Sequence, residues 1–117
     1  MTKPSALPPV LTFPLGLVLG LVAASAQPIG PQIVLDNPSV RVTSLTLPPG
    51  SGTGRHQGLE PEVGILVEGE LTLESPQGRT LLRSGTAYFL PGLTPHDTRN
   101  EGNRPARIVE VFLKRCD

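Results

Sequence analysis

Short apolar segments separated by turn-forming residues make up most of the chain. Residues 40–47 alternate apolar and polar positions, which is the pattern of a strand with one buried face. Residues 63–67 form a short apolar run that includes β-branched residues, so we predict a strand buried on both faces. Residues 68–70 are predicted to turn the chain into a returning strand. The predicted strands cover residues 33–35, 40–47, 63–67, 71–74, 79–82, 87–90 and 106–113.

The turn-forming residues between these segments favour an all-β fold. The chain has 14 prolines and 13 glycines, and both residue types disfavour long helices. No segment after residue 26 shows the 3.6-residue apolar period of a helix. Short strands at this spacing are typical of a sandwich or barrel. Residues 27–31 are polar and proline-containing, and we expect them to be loosely attached.

The first 26 residues have the pattern of a signal peptide. Lys3 precedes an apolar segment over residues 15–22, and Ala24-Ser25-Ala26 forms a small-residue cleavage site. Cleavage there would leave residues 27–117 as one exported domain, periplasmic or secreted. The apolar segment is shorter than the roughly 20 residues of a spanning helix, so no membrane span is expected after cleavage. An uncleaved anchor that begins near Leu7 is the alternative, and three prolines oppose it.

Charge and aromatic content exclude several kinds of partner. Ten basic and ten acidic residues leave no net charge, so nothing favours nucleic acid or an anionic membrane surface. Three phenylalanines and one tyrosine make a base-stacking platform improbable. The single cysteine, Cys116, excludes an internal disulfide. We interpret it as a solvated thiol near the chain end, with pairing between chains as the alternative.

Only two histidines occur, His56 and His96, and each follows a segment rich in proline or glycine. Glu62 comes six residues after His56, at the start of an apolar run. Two imidazoles and one carboxylate suit Zn, Mn, Fe or Ni, and they form the facial ligand set of non-haem iron enzymes. Each of these three residues, considered alone, is also compatible with a solvated position on the protein surface.

The spacing around His56 resembles the first motif of the cupin family. That motif is Gly, five residues, His-x-His, three or four residues, Glu, six residues, Gly. Gly50, His56, Glu62 and Gly69 stand at these intervals. Gly58 occupies the place of the second histidine.

The spacing around His96 resembles the second cupin motif, which is Gly, five residues, Pro-x-Gly, two residues, His, three residues, Asn. Gly85, Pro91, His96 and Asn100 stand at these intervals. Leu93 occupies the place of the motif's second glycine. A Pro-Gly turn can still form there, because Gly92 is adjacent.

The resemblance implies a small single-domain cupin, that is, a double-stranded β-helix or jelly-roll barrel. It also implies a divalent metal (Fe, Mn, Zn or Ni), a small-molecule ligand or substrate, and a homodimer. The family's set of three histidines and one glutamate is reduced here to His56, Glu62 and His96. Gln57 and Glu60 lie close enough in sequence to substitute for the missing ligand.

Three functions remain open at this point. The first is a metal-dependent oxygenase, isomerase or lyase. The second is a non-catalytic barrel that binds a metal or a small ligand, which Gly58 favours. The third is a purely structural role with a decayed site. Tyr88 either packs in the core or donates a hydrogen bond into the cavity. Three arginines either bind an anionic substrate or are solvated; these are Arg41, Arg55 and Arg99.

Overall fold

The chain between residues 27 and 114, which a computed structural model describes, consists of eight strands joined by turns and loops. The predicted signal peptide (residues 1–26) and Cys116 lie outside these residues. No helix in the described part is long and apolar enough to cross a membrane. The strands are β1 (Ile29–Asp36), β2 (Val40–Leu47), β3 (Glu62–Glu68), β4 (Glu70–Ser75), β5 (Gly78–Arg83), β6 (Ala87–Leu90), β7 (Asp97–Arg99) and β8 (Ala106–Leu113).

The strands form two antiparallel sheets, which confirms the all-β prediction. Five strands pair in the order β1-β2-β8-β3-β6, and three pair in the order β5-β4-β7. The C-terminal strand β8 lies inside the larger sheet, between β2 and β3. Because β8 pairs with both β2 and β3, the middle of the larger sheet is held by contacts between residues far apart in the sequence.

Aliphatic side chains from the two sheets fill the space between them. Both sheets contribute through alternate positions of their strands, as expected for sheets with one buried face. Removal of this apolar surface from water is the main stabilising term. The buried hydrophobic residues are Leu45, Leu47, Leu66, Leu71, Leu73, Leu82, Leu90, Ala106 and Ile108.

The predicted return of β4 alongside β3 is wrong. Strand β3 pairs with β6 and β8, whereas β4 pairs with β5 and β7 in the other sheet. Gly69 carries the chain across, with a φ of 83°. A Cβ at this position would lie 2.6 Å from the carbonyl oxygen of Pro105. Only glycine allows this crossing without strain, because a side chain would strike the backbone before β8.

The prediction that residues 63–67 are buried on both faces is also wrong for the single chain. Ile65 and Val67 are 38% and 42% exposed. Glu62, Gly64 and Leu66 are the buried positions of this strand. The apolar run therefore places its β-branched residues on the outer face of the larger sheet, while a carboxylate and a glycine face inward.

The first strand begins earlier than predicted. Ile29 already pairs with Thr46 of β2, so most of the segment expected to be loosely attached belongs to a strand or its approach. Pro28, Gly30 and Pro31 form part of the wall of a cavity that also contains His56. The start of the strand region thus contributes to the candidate site.

Leu93 has a φ of 63°, the left-handed conformation that favours glycine. We expect Leu93→Gly to stabilise the fold by about 0.5–1 kcal/mol, because the strain relieved exceeds the greater chain entropy of glycine. Leu93 is 56% exposed, so little buried area is lost. Urea unfolding measures the effect. Leu93→Ala serves as the control, since it removes the same side chain but keeps the strain, and an equal gain in that variant would contradict the explanation.

Candidate functional site

His56 and His96 lie opposite each other on two neighbouring chain segments. The amide of His56 donates to the carbonyl of His96 at 2.9 Å, and the amide of His96 donates back at 2.8 Å. Side chains at directly opposed positions share one face, and the two ring centroids are 4.2 Å apart. The pairing immediately precedes β7, a three-residue strand whose polar sequence has no apolar pattern that predicts it.

The backbone sets the tautomer of both imidazoles. Nδ1 of His56 lies 2.7 Å from the carbonyl oxygen of Gly54, and Nδ1 of His96 lies 2.8 Å from that of Thr94. A carbonyl oxygen only accepts hydrogen bonds, so each Nδ1 must be the donor. In the neutral ring Nε2 then has a free lone pair, and a hydrogen bond from the other ring nitrogen is the usual support of a metal-binding histidine.

Glu62 is the first residue of β3 and places its carboxylate beside His96. Its Oε1 lies 3.5 Å from Nε2 of His96. Both residues are buried, at 5% and 2% exposure, and Nε2 of His96 has no hydrogen-bond partner among residues 27–114. Two acceptor atoms that face each other away from water require a proton or a cation between them. Donor atoms of one metal ion, each bound at about 2.1 Å, are typically separated by about this distance.

Tyr88 holds the other oxygen of Glu62. Its hydroxyl donates to Oε2 at 3.0 Å, and its ring packs against the core. Both sequence-based interpretations of Tyr88 therefore apply. Burial, with the negative charges of Glu62 and Glu110, raises the pKa of Tyr88, so the phenol remains a donor. A Cβ on Gly64 would lie 2.2 Å from the tyrosine ring, so glycine is what lets Tyr88 cross β3.

Glu110 is the site residue that the sequence analysis missed. It lies on β8 opposite Thr43 and Gly64, and the Thr43 hydroxyl donates to its Oε1 at 3.4 Å. Burial and the negative charge of Glu62 raise the pKa of Glu110 to about 7. The only available signal was that Glu110 shares the alternation of Ala106 and Ile108 along the last strand.

The raised pKa of Glu110 predicts a stability that depends on pH. Its pKa is about 7 in the folded protein and near 4.5 when unfolded, so the folded state binds more protons between these values. The contribution of Glu110 to stability is therefore fully present below about pH 4.5 and is lost as the pH rises through about 7. Glu110→Gln should be more stable than the wild type by about 3 kcal/mol at high pH and similar to it at low pH. Urea unfolding in EDTA at about pH 5 and pH 8 measures this, and parallel pH dependence in both proteins would contradict it.

A cavity of about 350 Å³ adjoins these groups, and His56, Glu62, Glu110 and Gly58 line it. A Cβ added at Gly58 meets no atom of the described chain within 4 Å, so residues 27–114 leave the place of the missing motif histidine open. Glu60 does not fill the gap, because it lines a separate hollow with Leu59 and Leu93. Gln57 is exposed.

The donor chemistry fits a metal ion, and two of the three expected ligands are close enough to share one. His96 Nε2 and Glu62 Oε1 meet the required separation, and the ring of His56 lies beside that of His96. Within residues 27–114, no group of three or more His, Cys, Asp or Glu side chains already surrounds a common point. A third ligand would therefore have to come from a side-chain adjustment of His56.

The three candidate arginines lie outside the cavity. Arg41 pairs with Asp36 at 3.6 Å. The side chain of Arg99 lies over Gly52, where a Cβ would come 2.7 Å from a guanidinium nitrogen. Arg55 borders an outer hollow on the smaller sheet. Their contribution to an anion site in this cavity is therefore not supported.

The asparagine of the second motif has a structural role. Asn100 is buried, and its amide donates to the carbonyl oxygens of Leu47 and Arg104 at 2.8 and 2.7 Å. Its own oxygen accepts from the amide of Gly102 at 2.9 Å. The side chain thus closes the turn before β8 and does not reach toward the histidines.

A sequence model of a family, described as a cupin domain, matches residues 43–112. The chain belongs to the cupin family. A cupin domain from Bordetella pertussis Tohama I is 31% identical, with a TM-score of 0.63 over 78% of this chain and 95% of that one. This cupin also resembles KdgF from Halomonas sp., at 22% identity and a TM-score of 0.66 over 74% and 78% of the two chains.

A sugar phosphate isomerase of a cupin superfamily from Silicibacter pomeroyi is a more distant structural relative. It is 22% identical, with a TM-score of 0.59 over 66% of this chain and 52% of that one. Like the match to KdgF, this similarity establishes the fold and not the activity.

Proposed function

We propose that this cupin binds a divalent transition metal (Fe, Mn, Zn or Ni) through His56, Glu62 and His96, and acts on a small molecule held in the adjoining cavity. The observation that carries the proposal is Nε2 of His96, which is buried, unpartnered and 3.5 Å from a buried carboxylate oxygen. Two buried acceptors at this distance require a proton or a cation between them, and a divalent metal ion meets that requirement with the donor types present.

A tyrosine hydroxyl and two backbone carbonyls of the chain orient the proposed metal ligands. The Tyr88 hydroxyl holds Oε2 of Glu62, which leaves Oε1 directed toward His96. The carbonyls of Gly54 and Thr94 orient the two imidazoles. The metal, when bound, supplies a Lewis acid or a centre for oxygen activation. The apolar side chains of Leu45 and Phe112 in the cavity wall limit the access of water to the same region.

Elemental analysis of the isolated protein tests the proposal. We expect about one equivalent of a transition metal, either as isolated or after reconstitution with Mn²⁺, Fe²⁺, Zn²⁺ or Ni²⁺. Less than about a tenth of an equivalent under all conditions would overturn it.

A non-catalytic binding barrel is the second candidate, and Gly58 is the observation that favours it. The family's second imidazole is missing there, so a metal would have fewer protein ligands and weaker affinity. A protein that takes up a small ligand in the cavity but no metal would support this candidate over the first.

Restoring the missing ligand should strengthen metal binding. Gly58→His places an imidazole in open space at the cavity wall, so we expect the Kd for Zn²⁺ to fall roughly tenfold, about 1.4 kcal/mol. Isothermal titration measures it, with Gln57→His as the neighbouring control. An unchanged Kd in Gly58→His, or an equal gain in the control, would show that this position does not face the metal.

The substrate of the Silicibacter pomeroyi relative is not supported for this cupin. That protein is a sugar phosphate isomerase, and a phosphate group is best recognised by arginine, lysine or a helix N-terminus. None of the described residues that line the cavity is Arg or Lys.

The proposed partner is a second copy of this chain, which covers the outer face of the larger sheet. One row across four strands consists of Val42, Val111, Val63 and Phe89, and the next consists of Ser44, Val109, Ile65 and Ala87. Neither row contains a charge. Four strands about 4.8 Å apart and five residues long cover roughly 300 Å² in projection. This is the size of an apolar interface core, and a polar rim completes the roughly 800 Å² that a stable dimer buries per partner.

Light scattering after size exclusion tests the dimer. Wild type is expected to elute at twice the chain mass, and Phe89→Glu should shift it to the monomer because a buried charge opposes association. Leu81→Glu is the matched control, since Leu81 is exposed on the smaller sheet. A monomeric wild type would contradict the proposed dimer.

Export rests on the pattern of residues 1–26 alone. Expression with the native N-terminus, followed by mass spectrometry of the exported fraction, should give a chain that starts at Gln27. A full-length chain retained inside the cell would exclude cleavage at this site.

A further inference from the structure

The cavity beside the candidate metal ligands has a mixed polar and apolar lining. His56, Glu62 and Glu110 contribute its titratable groups, and Thr53 adds a hydroxyl group. The rest of the wall is apolar and comes from three separate strands or their approaches; its side chains are Pro28, Pro31, Leu45 and Phe112. An apolar wall with a few convergent polar groups is the usual form of a small-molecule site.

The charges at this cavity are all negative. Glu62 is buried and Glu110 is partly buried. No Arg or Lys of the described chain lines the cavity. The ion pairs that Arg and Lys make within residues 27–114 go to Asp36, Glu70, Glu74 and Glu101. An anionic ligand would therefore meet two carboxyl groups and no compensating cation from the protein.

The preference of the cavity itself is that of the metal-free protein, because a bound divalent metal would offset the negative charges and would also offer an anion a ligand position. The volume of about 350 Å³ corresponds to about a dozen water molecules at roughly 30 Å³ each. That space suits one ring with a short polar substituent.

We infer that this cavity selects uncharged or cationic small molecules that have an apolar ring and a single hydroxyl, carbonyl or amine end, and that it discriminates against phosphorylated or carboxylated ones. The inference rests on the proposed function in placing the ligand in this cavity. Leu45 and Phe112 offer the ring an apolar contact, and Glu62 and Glu110 accept a hydrogen bond from a hydroxyl or amine.

Three probes that have the same ring but different charges test how ligand charge affects binding at nearly constant shape. Benzyl alcohol, benzylamine and benzoate are titrated into the full chain and followed by NMR, with EDTA and again with Mn²⁺. Because benzoate can ligate a metal, the EDTA series reports the cavity itself. We expect benzyl alcohol and benzylamine to bind at least about tenfold more tightly than benzoate. Benzoate equal to or tighter than benzyl alcohol in EDTA, or no binding of any probe at roughly 20 mM, would overturn the inference.

A charge placed in the cavity should reverse the selectivity. Gly58→Lys adds a cation where the structure has open space, and it should strengthen benzoate binding at least about tenfold. Gln77→Lys is the control, because it adds the same charge to an exposed turn. An equal gain in both variants would overturn the inference. If elemental analysis finds no metal but the probe order holds, only the proposed metal function fails; if metal binds but the order is reversed, only the ligand class fails.

Discussion

His96→Ala is expected to weaken metal binding by at least about 100-fold, which is about 2.7 kcal/mol. The imidazole is the most buried donor of the set, at 2% exposure, and its Nε2 has no other partner. Loss of this nitrogen leaves Glu62 and the exposed His56 as protein ligands, too few to hold a transition metal firmly. Metal content after dialysis and titration with Zn²⁺ or Mn²⁺ measure the loss.

The buried position of His96 requires a second variant that separates metal loss from unfolding. Glu62→Gln has nearly the same shape as the wild type, and the amide still accepts from Tyr88, but it removes the charge that a metal requires. We expect it to lose metal as His96→Ala does while the fold remains. Asp97→Asn, next to the site in sequence and outside the expected ligands, is the control. Stoichiometric metal in folded His96→Ala would show that other residues bind it.

Gly64→Ala is expected to destabilise the fold by about 4 kcal/mol. The new methyl group would lie 2.2 Å from the Tyr88 ring, and overpacking of this kind typically costs about 1–3 kcal/mol. The displaced ring would also break the hydrogen bond to the buried Glu62, which costs about 1–3 kcal/mol more. Tyr88 is the only tyrosine and the chain has no tryptophan, so intrinsic fluorescence and urea unfolding both report the change.

Two further variants isolate the clash. Gly58→Ala adds the same methyl group where nothing lies within 4 Å, and its stability should change by less than about 1 kcal/mol. In Gly64→Ala/Tyr88→Ala the added methyl has room, so the double variant should lose less than the two single losses combined. Additive losses would show that the ring and the backbone at Gly64 do not compete for the same space.

The correct sequence predictions depended on local signals. Six of the predicted strands overlap β2 to β6 and β8, because an alternating or apolar segment bounded by turn residues adopts the strand conformation wherever it pairs. The glycines of the two motifs were recognised by their spacing. Leu93 was recognised as a departure, and the structure shows its consequence as a left-handed backbone conformation.

The incorrect predictions concern features that depend on which strands pair in the folded chain. We predicted that β4 returns alongside β3 after the turn at Gly69, but β8 and β6 occupy both edges of β3. Residues 27–31 lacked a strand pattern, yet pairing with β2 places their end in the sheet. Glu110 had the only inward charge in its strand, and its register could be known only after β8 was placed between β2 and β3.

The sequence by itself determined segments of every described strand except β7, the family, and the three candidate ligands, His56, Glu62 and His96. These follow from residue types and intervals along the chain, which local chemistry and turn geometry constrain. Only the tertiary structure decided that the two imidazoles lie side by side, that Tyr88 crosses Gly64 to hold Glu62, and that Glu110 shares the cavity. Each of these contacts joins strands that are distant in sequence, and the pairing of two sheets around one core sets their distances.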